Sequence, residues 1–478
     1  MNKLWLTAIV LAGCLCACKK VDFDDTAPGT LATKAAPVTV ILDESLPGYT
    51  IPHIFEGLSY ETDLLTNDPG YLNENNTVLI RLLKNLGKGV LRIGGNSSDE
   101  VEWGGADAGT DTLHRKLTTA DIDRLAAFAK AVNWPVLFGL NLADNNPGLS
   151  ANEAAYVSDK LQNNLYAFQT GNEPDFFGYL HRPAGYRYSD YQHEWDGYYA
   201  AVKNKVPYAR FAGPDVTPFN LYWLSEFSKN TTKRIVLLDG HYYNNGPASN
   251  PAISLTDVLT PNSKMAPYLQ GMSAIAGAHG VPYRISEGNS IWGQGKPGVS
   301  NVFASALWAL DFMWRVAENK GQGINFHGGG IRFVYTPINT TNGITTVRPL
   351  YYAMLAFKYG ATGGKIIPAR VVNPDGSSNY SVHACINPDK STSVTIINKE
   401  LAKDFVFTVQ LHQPASAIHI DRLTAPSVTS VDGVSFAGST VSADGSFIPG
   451  DAEKHRINQN SFAVTVPAGS AAVITIDP

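Results

Sequence analysis

The stretch Phe168-Gln-Thr-Gly-Asn-Glu-Pro-Asp175 closes a short β-rich run, Tyr166 to Asn172, and sets a carboxylate, Glu173, just beyond its end. A second run, Pro282 to Glu287, leads through Tyr283-Arg-Ile-Ser-Glu-Gly-Asn289 to another carboxylate, Glu287. The interval between the two divides into three βα units of about 38 residues, a reasonable length for a strand, a helix and their loops. Working outward, six more runs alternate with helical patterns: Phe55 to Glu61, Gly89 to Gly94, Pro135 to Leu142, Ala209 to Val216, Arg234 to Tyr242 and Gly323 to His327. The intervening helices carry apolar stripes at the 3.6-residue period, as in Ile122, Leu125, Ala129 and Val132, or Phe303, Leu307, Leu310 and Trp314. Thr118 with Asp121 predicts a capping box ahead of the first of these. Eight strands in roughly 280 residues fit a (β/α)8 TIM barrel, expected over residues 50–358, with a doubly wound open sheet as the alternative. In a barrel the C-terminal strand ends share one mouth, so the fourth and seventh strands would bring Glu173 and Glu287 together.

After the helical stretch Tyr351 to Tyr359 the pattern changes to short alternating strands such as Ser393 to Ile397, Phe405 to Val409 and Ala463 to Val466, separated by Gly, Pro, Asp and Ser. That predicts an all-β sandwich over residues 359–478. The early run Val38 to Leu42, within residues 37–49, precedes the barrel and is expected to pair into this second domain. No internal repeat is visible.

The 478 residues carry 37 Lys plus Arg against 42 Asp plus Glu, a net charge of -5. With no basic excess to neutralise a phosphate backbone, nucleic acid is not an expected partner. The 8 Trp and 22 Tyr supply aromatic faces with polar tips, which suit sugar stacking and a large core equally. At the N-terminus one positive charge precedes the apolar run Leu4 to Gly13, too short to span a bilayer, so residues 1–18 read as a lipoprotein signal peptide. Leu11-Ala-Gly-Cys14 resembles a lipobox, and Cys18, followed by Lys19 and Lys20, is the competing acceptor. Residues 19–36 read as a flexible tether, so the chain is expected in a bacterial cell envelope, touching membrane through a lipid anchor only. Beyond this segment the chain holds a single cysteine, Cys385, so no disulfide joins folded-domain cysteines.

Two carboxylates flanking a glycosidic bond are what glycoside hydrolysis requires, one as acid and one as base or nucleophile. A nucleophile must stay ionised and needs cations or donors nearby; an acid must hold its proton. Arg92, His241 and Tyr242 or Tyr243, at the ends of the second and sixth strands, are candidate donors to Glu287. Asn172 beside Glu173 is a candidate for a sugar hydroxyl, and Glu61, ending the first strand, for the remaining hydroxyls. Two other motifs were weighed. Gly293-Gln-Gly-Lys-Pro-Gly298 has spaced glycines, but Pro297 interrupts it and no strand feeds it, so nucleotide binding is not expected there. His327-Gly-Gly-Gly330 has the look of an esterase oxyanion loop without the Gly-x-Ser-x-Gly elbow that should accompany it. The 11 histidines show no metal-ligand spacing, and no metal or cofactor is expected.

Asn172-Glu173-Pro174 and Glu287 resemble the acid/base and nucleophile of the large clan of retaining barrel glycosidases. Arg92-Ile-Gly-Gly-Asn96-Ser-Ser98, Gly171-Asn-Glu-Pro-Asp175 and Ile285-Ser-Glu-Gly-Asn289, with the trailing β domain, are similar to glycoside hydrolase family 79, the β-glucuronidase and heparanase-like group, over roughly residues 37 to 478. The resemblance implies Glu173 as general acid/base, Glu287 as the nucleophile that forms a glycosyl-enzyme ester, and Asn96 among the substrate contacts. It implies a substrate bearing β-linked glucuronic acid from plant or host glycans, cleaved by exo action. It also implies a uronate pocket on the segment Asn325 to Tyr335, with Gly329, Gly330 and Tyr335 as donors and Arg332 nearby. Endo-cleavage of an acidic polysaccharide, hydrolysis of a neutral sugar, and a glycan-binding lipoprotein without turnover are the alternatives.

Overall fold

The computed structural model describes residues 37–106, 116–372 and 376–478. The signal-like segment, its candidate acceptors Cys14 and Cys18, and the tether lie outside the described residues. Eight parallel strands build the barrel: Gly57–Glu61, Val90–Gly94, Val136–Leu140, Leu165–Thr170, Ala212–Val216, Leu237–Asn245, Tyr283–Ile291 and Ile324–Gly328. They pair in the order 4-3-2-1-8-7-6-5, and the seam between the fourth and fifth closes where the Phe168 amide donates to the Arg210 carbonyl at 2.9 Å. All residues of the first, second, third, fifth and eighth strands are buried, as expected of a parallel sheet with helices outside and side chains filling the inside. The expected barrel is therefore present, and the doubly wound sheet is not.

The sixth and seventh strands run further than their sequence pattern suggests, to Asn245 and Ile291. The seventh continues past Glu287 to Ile291 because pairing resumes after a register shift, with Glu287 opposite His241, Asn289 opposite Tyr243 and Ile291 opposite Asn245. The shift falls between Ile285 and Glu287, a bulge at Ser286. The fifth strand carries another between Pro214 and Val216, around Asp215, whose φ is 59°. Outside the barrel, the helix Thr119–Val132 begins with the expected capping box: the Thr118 hydroxyl accepts from the Asp121 amide while the Asp121 carboxylate accepts from the Thr118 amide.

The sheet-rich C-terminal region is nine-stranded. Its centre is the 20-residue strand Phe405–Thr424, whose register shifts between Gln410 and Ala417. The first half pairs with Pro37–Leu42 and the second with Ser470–Asp477. Side chains from these strands enclose one core that includes Val40, Ile396, Phe407, Val464 and Ile474. The helices Phe303–Glu318 and Pro349–Ala361 lie between barrel and sheet and are buried on nearly every side, which explains why their sequences are apolar all round.

One polar knot crosses that junction. The Asp311 carboxylate accepts from Lys399 Nζ at 2.7 Å, from Arg315 Nε at 3.0 Å and lies 3.0 Å from His383 Nε2, while His383 Nδ1 lies 2.6 Å from Glu318. Burial opposes ionisation of Asp311, but Lys399, His383 and Arg315 hold it well below the usual carboxylate range. Lys399→Met leaves that buried charge short of a partner and is expected to cost about 3 kcal/mol in urea unfolding at neutral pH. Because the lowered carboxylate stabilises the fold only above the unfolded value of about 3.9, the difference from the parent should shrink as pH falls below 4.

Candidate active site

Arg92, in the middle of the second barrel strand, is fully buried, and each of its five N–H groups meets an acceptor. Nε donates to Gln169 at 3.0 Å; one terminal nitrogen donates to Ser59 at 2.9 Å and Glu287 at 2.7 Å; the other donates to Asn172 at 2.8 Å and Asp215 at 2.5 Å. Asp215 also accepts from Gln169 at 2.7 Å and Ser286 at 2.6 Å, and lies 3.0 Å from His241 Nε2. Despite complete burial, Arg92 and His241 hold Asp215 below the ordinary range. Burial and the charge on Asp215 push its neighbour Asp239 well up, against the pull of Arg92 and His241. Asp239 accepts from the Asp215 amide at 3.0 Å and from Gln169 at 2.8 Å.

Above this layer stand the two glutamates. Glu287 accepts from Arg92 and, on its other oxygen, from the Tyr243 hydroxyl at 2.8 Å. Burial works against its charge, but His327, His241 and Arg92 together with that hydroxyl bring it down to about 2. Glu173 sits in the left-handed region at φ 50°, and its Oε1 lies 2.8 Å from His241 Nδ1. Burial and the negative charge of Glu287 raise it, partly offset by His241. One carboxyl held low and one raised above the ordinary carboxylate range thus face a single cavity of about 880 Å³.

Of the residues singled out in the sequence, Glu61, Asn96, Glu173, Tyr243, Glu287, Arg332 and Tyr335 line this cavity. Arg92 and Tyr243 are donors to Glu287 as expected; His241 serves Glu173 and Asp215 instead, and Tyr242 turns away to donate to Asn244. Asn172 lies beneath the wall with its amide spent on Arg92 and Asn96. Glu61 accepts from the Ser97 amide at 2.8 Å and hydroxyl at 2.6 Å. The glycine loop differs from its reading as a donor cradle. The Gly329 amide donates to Thr336 Oγ1 at 3.0 Å rather than into the cavity. At Gly329, with φ 99°, a Cβ would lie 2.7 Å from the Tyr60 ring, so this glycine is there for close packing. The segment dismissed as a failed nucleotide motif supplies the wall instead: Gly293 and Gln294 line the cavity, and Gly295 packs on Tyr335 where a Cβ would come within 2.8 Å of its amide.

A model of the glycosyl hydrolase family 79 C-terminal β domain matches residues 380–473. A β-glucuronidase of Aspergillus niger is 25% identical over 400 residues, covering 74% of this chain and 73% of that one. Among solved structures, a 4-O-α-L-rhamnosyl-β-D-glucuronidase from Fusarium oxysporum superimposes with a TM-score of 0.77 at 20% identity, over 92% of this chain and 100% of that one. The C-terminal region thus matches the family 79 model, and the chain as a whole is similar to β-glucuronidases. An arabinofuranosidase from Xanthomonas axonopodis shares the same fold at a TM-score of 0.71 and 17% identity, over 92% of this chain and 100% of that one. The chain is a glycoside hydrolase whose polar barrel layer, with Ser59, Gln169, Asp215, Asp239 and Ser286, is not evident from the sequence pattern.

Removing one donor from Glu287 tests the electrostatics directly. Tyr243→Phe takes away a hydrogen bond that lowers the Glu287 pKa, so the acid limb of kcat/KM should move to higher pH. The loss of one charge-assisted bond should also lower kcat/KM at neutral pH by about tenfold. A pH profile from 3 to 9 measures both effects.

Proposed function

We propose that this hydrolase is a retaining, exo-acting β-glucuronidase in which Glu173 is the general acid/base and Glu287 the nucleophile. The observation that carries the reading is the division of protonation between the two carboxyls around one cavity: Glu287 is brought down to about 2 while Glu173 is raised. Glu173 would protonate the departing oxygen as Glu287 attacks the anomeric carbon, and Glu173, now a carboxylate, would activate the water that releases the sugar. His241 touches Glu173, so the proton can be held on either partner of that bond without leaving the site.

The name carried by the Aspergillus relative supports a glucuronide as substrate. Tyr335, whose hydroxyl lies 3.4 Å from that of Tyr243, is the donor proposed for the uronate, with Gly293 and Gln294 in the same wall. Exo action is part of this proposal; the lining sets Glu61, Asp63 and Glu100 against Lys264 and Arg332 and so offers no strongly basic track for a polyanionic chain. Anchoring in a bacterial envelope through Cys14 or Cys18 belongs to the same proposal, and palmitate labelling of Cys14→Ala and Cys18→Ala chains distinguishes the acceptors.

The decisive assay compares aryl β-glucuronide, β-glucoside, β-xyloside and α-arabinofuranoside. Hydrolysis confined to the glucuronide, and abolished by Glu287→Gln, is the expected result; cleavage of a neutral glycoside alone would refute the glucuronide assignment. Glu173→Gln should lose about 10²- to 10⁴-fold in turnover, and azide, which attacks without a base, should restore activity and yield the β-configured glycosyl azide. Between the two glutamate ionisations kcat/KM should plateau, falling on the alkaline side as Glu173 loses the proton it must donate.

A further inference from the structure

The residue that protonates a departing group marks the side on which that group leaves, and what surrounds it therefore meets the aglycone. Here the chain turns immediately after Glu173, and the Phe176 amide donates back to the Glu173 carbonyl at 2.8 Å. That turn places Phe176 and Leu180 in the cavity wall, and they remain 44% and 65% exposed. The ring of Tyr179 stacks on Phe176 at 4.8 Å between centroids, bracing it from one side. The platform is anchored from below. Asp175 accepts from the Thr217 amide at 3.0 Å, the Thr217 hydroxyl at 2.5 Å and the Asn220 amide at 2.6 Å, tying the turn to the loop that follows the fifth strand. That loop adds Pro218 and Phe219 to the same wall. The Phe219 ring is wedged edge-on against Tyr268 at 5.4 Å and Tyr242 at 5.8 Å.

Resting on the assignment of Glu173 as the acid, we infer that this lip is an aglycone site selective for a flat, apolar, aromatic leaving group. Exposed apolar side chains gathered beside a polar centre call for a ligand surface of the same kind. A sugar in that position would bring several hydroxyls, each needing a partner. Three polar side chains of the lip are already committed, the Thr217 hydroxyl and Asn220 amide to Asp175 and the Asn262 amide to the Asn244 carbonyl, while the Lys264 ammonium lies over the Phe219 ring at 5.5 Å, where it favours an aromatic surface. An aromatic ring stacks on Phe176 without that cost.

The test separates ring size from leaving-group chemistry by comparing phenyl and 2-naphthyl β-D-glucuronides, whose phenols are of similar acidity, with a glucuronyl-galactose disaccharide. For the full chain the naphthyl-to-phenyl ratio of kcat/KM is expected at about three- to tenfold, carried mainly by KM, and should fall close to one in Phe176→Ala/Leu180→Ala. The exposure of both side chains makes this variant tolerable to the fold, which circular dichroism checks. A ratio near one in the parent, or a ratio the double substitution does not change, overturns the platform. So does a disaccharide preferred over both aryl glycosides, because the lip would then be a sugar subsite. If the chain cleaves phenyl glycosides of another sugar instead, the glucuronide assignment fails alone, and the naphthyl-to-phenyl ratio on that sugar still reads the lip. Inactivity on all aryl glycosides defeats both.

Discussion

A guanidinium sealed inside a barrel has to satisfy five donors and one positive charge without water. Arg92 does so with five acceptors drawn from the first, fourth, fifth and seventh strand regions, and nearly every feature of the mouth follows from that requirement. Two of the acceptors must be anions for the charge to be tolerated, and these are Asp215 and Glu287. The charge on Asp215, with burial, raises Asp239 beside it well above the ordinary carboxylate range. Arg92, with His327 and His241, keeps the Glu287 pKa low, so the low pKa of Glu287 and the burial of Arg92 share one ion pair. Glu173 is outside this accounting, since it touches His241 rather than Arg92, and is left with a raised pKa.

How much of this could be read from the sequence depends on which property of a residue the fold uses. Strand ends were legible because hydrophobic runs stop where the chain leaves the sheet, and Glu173 and Glu287 stood at two such stops. The barrel followed from the alternation of those runs with 3.6-period helices. Gln169, Asp215, Asp239 and Ser286 were not legible as a site, because each sits inside a run that reads simply as strand. Their anomaly was visible all the same: a buried parallel strand should not hold an unpaired carboxylate or amide, so polar residues in four such runs imply that they meet. Pairing them needs the lumen-facing register, and that register is altered by the irregularities at Asp215 and Ser286.

The glycine loops show a different limit. Composition says that Gly329 and Gly293 allow unusual backbone, with φ of 99° and 82°, but not where the amides point. In Gly329 the freedom is used to let Tyr60 approach; around Gly293 and Gly295 it is used to fold a wall over Tyr335. The junction between barrel and sheet was equally silent in the sequence. Asp311 and Lys399 are distant in the chain and become partners only when the C-terminal sheet lies against the helix Phe303–Glu318.

The bulge at Ser286 has a further consequence for how this centre is assembled. Along a regular strand, neighbours point to opposite faces, so Ser286 and Glu287 could not both look into the lumen. Arg284 points inward to Asn325 and Ile285 outward into the helical layer; then Ser286 reaches Asp215 and Glu287 reaches Arg92, both inward. The extra residue breaks the alternation once and in one place. A chain shortened by a single residue here would keep its hydrophobic pattern and its barrel, yet would have to turn either the anchor of Asp215 or the carboxylate of Glu287 out of the lumen. The chemistry of the mouth therefore rests on a break in parity as much as on the identity of any side chain.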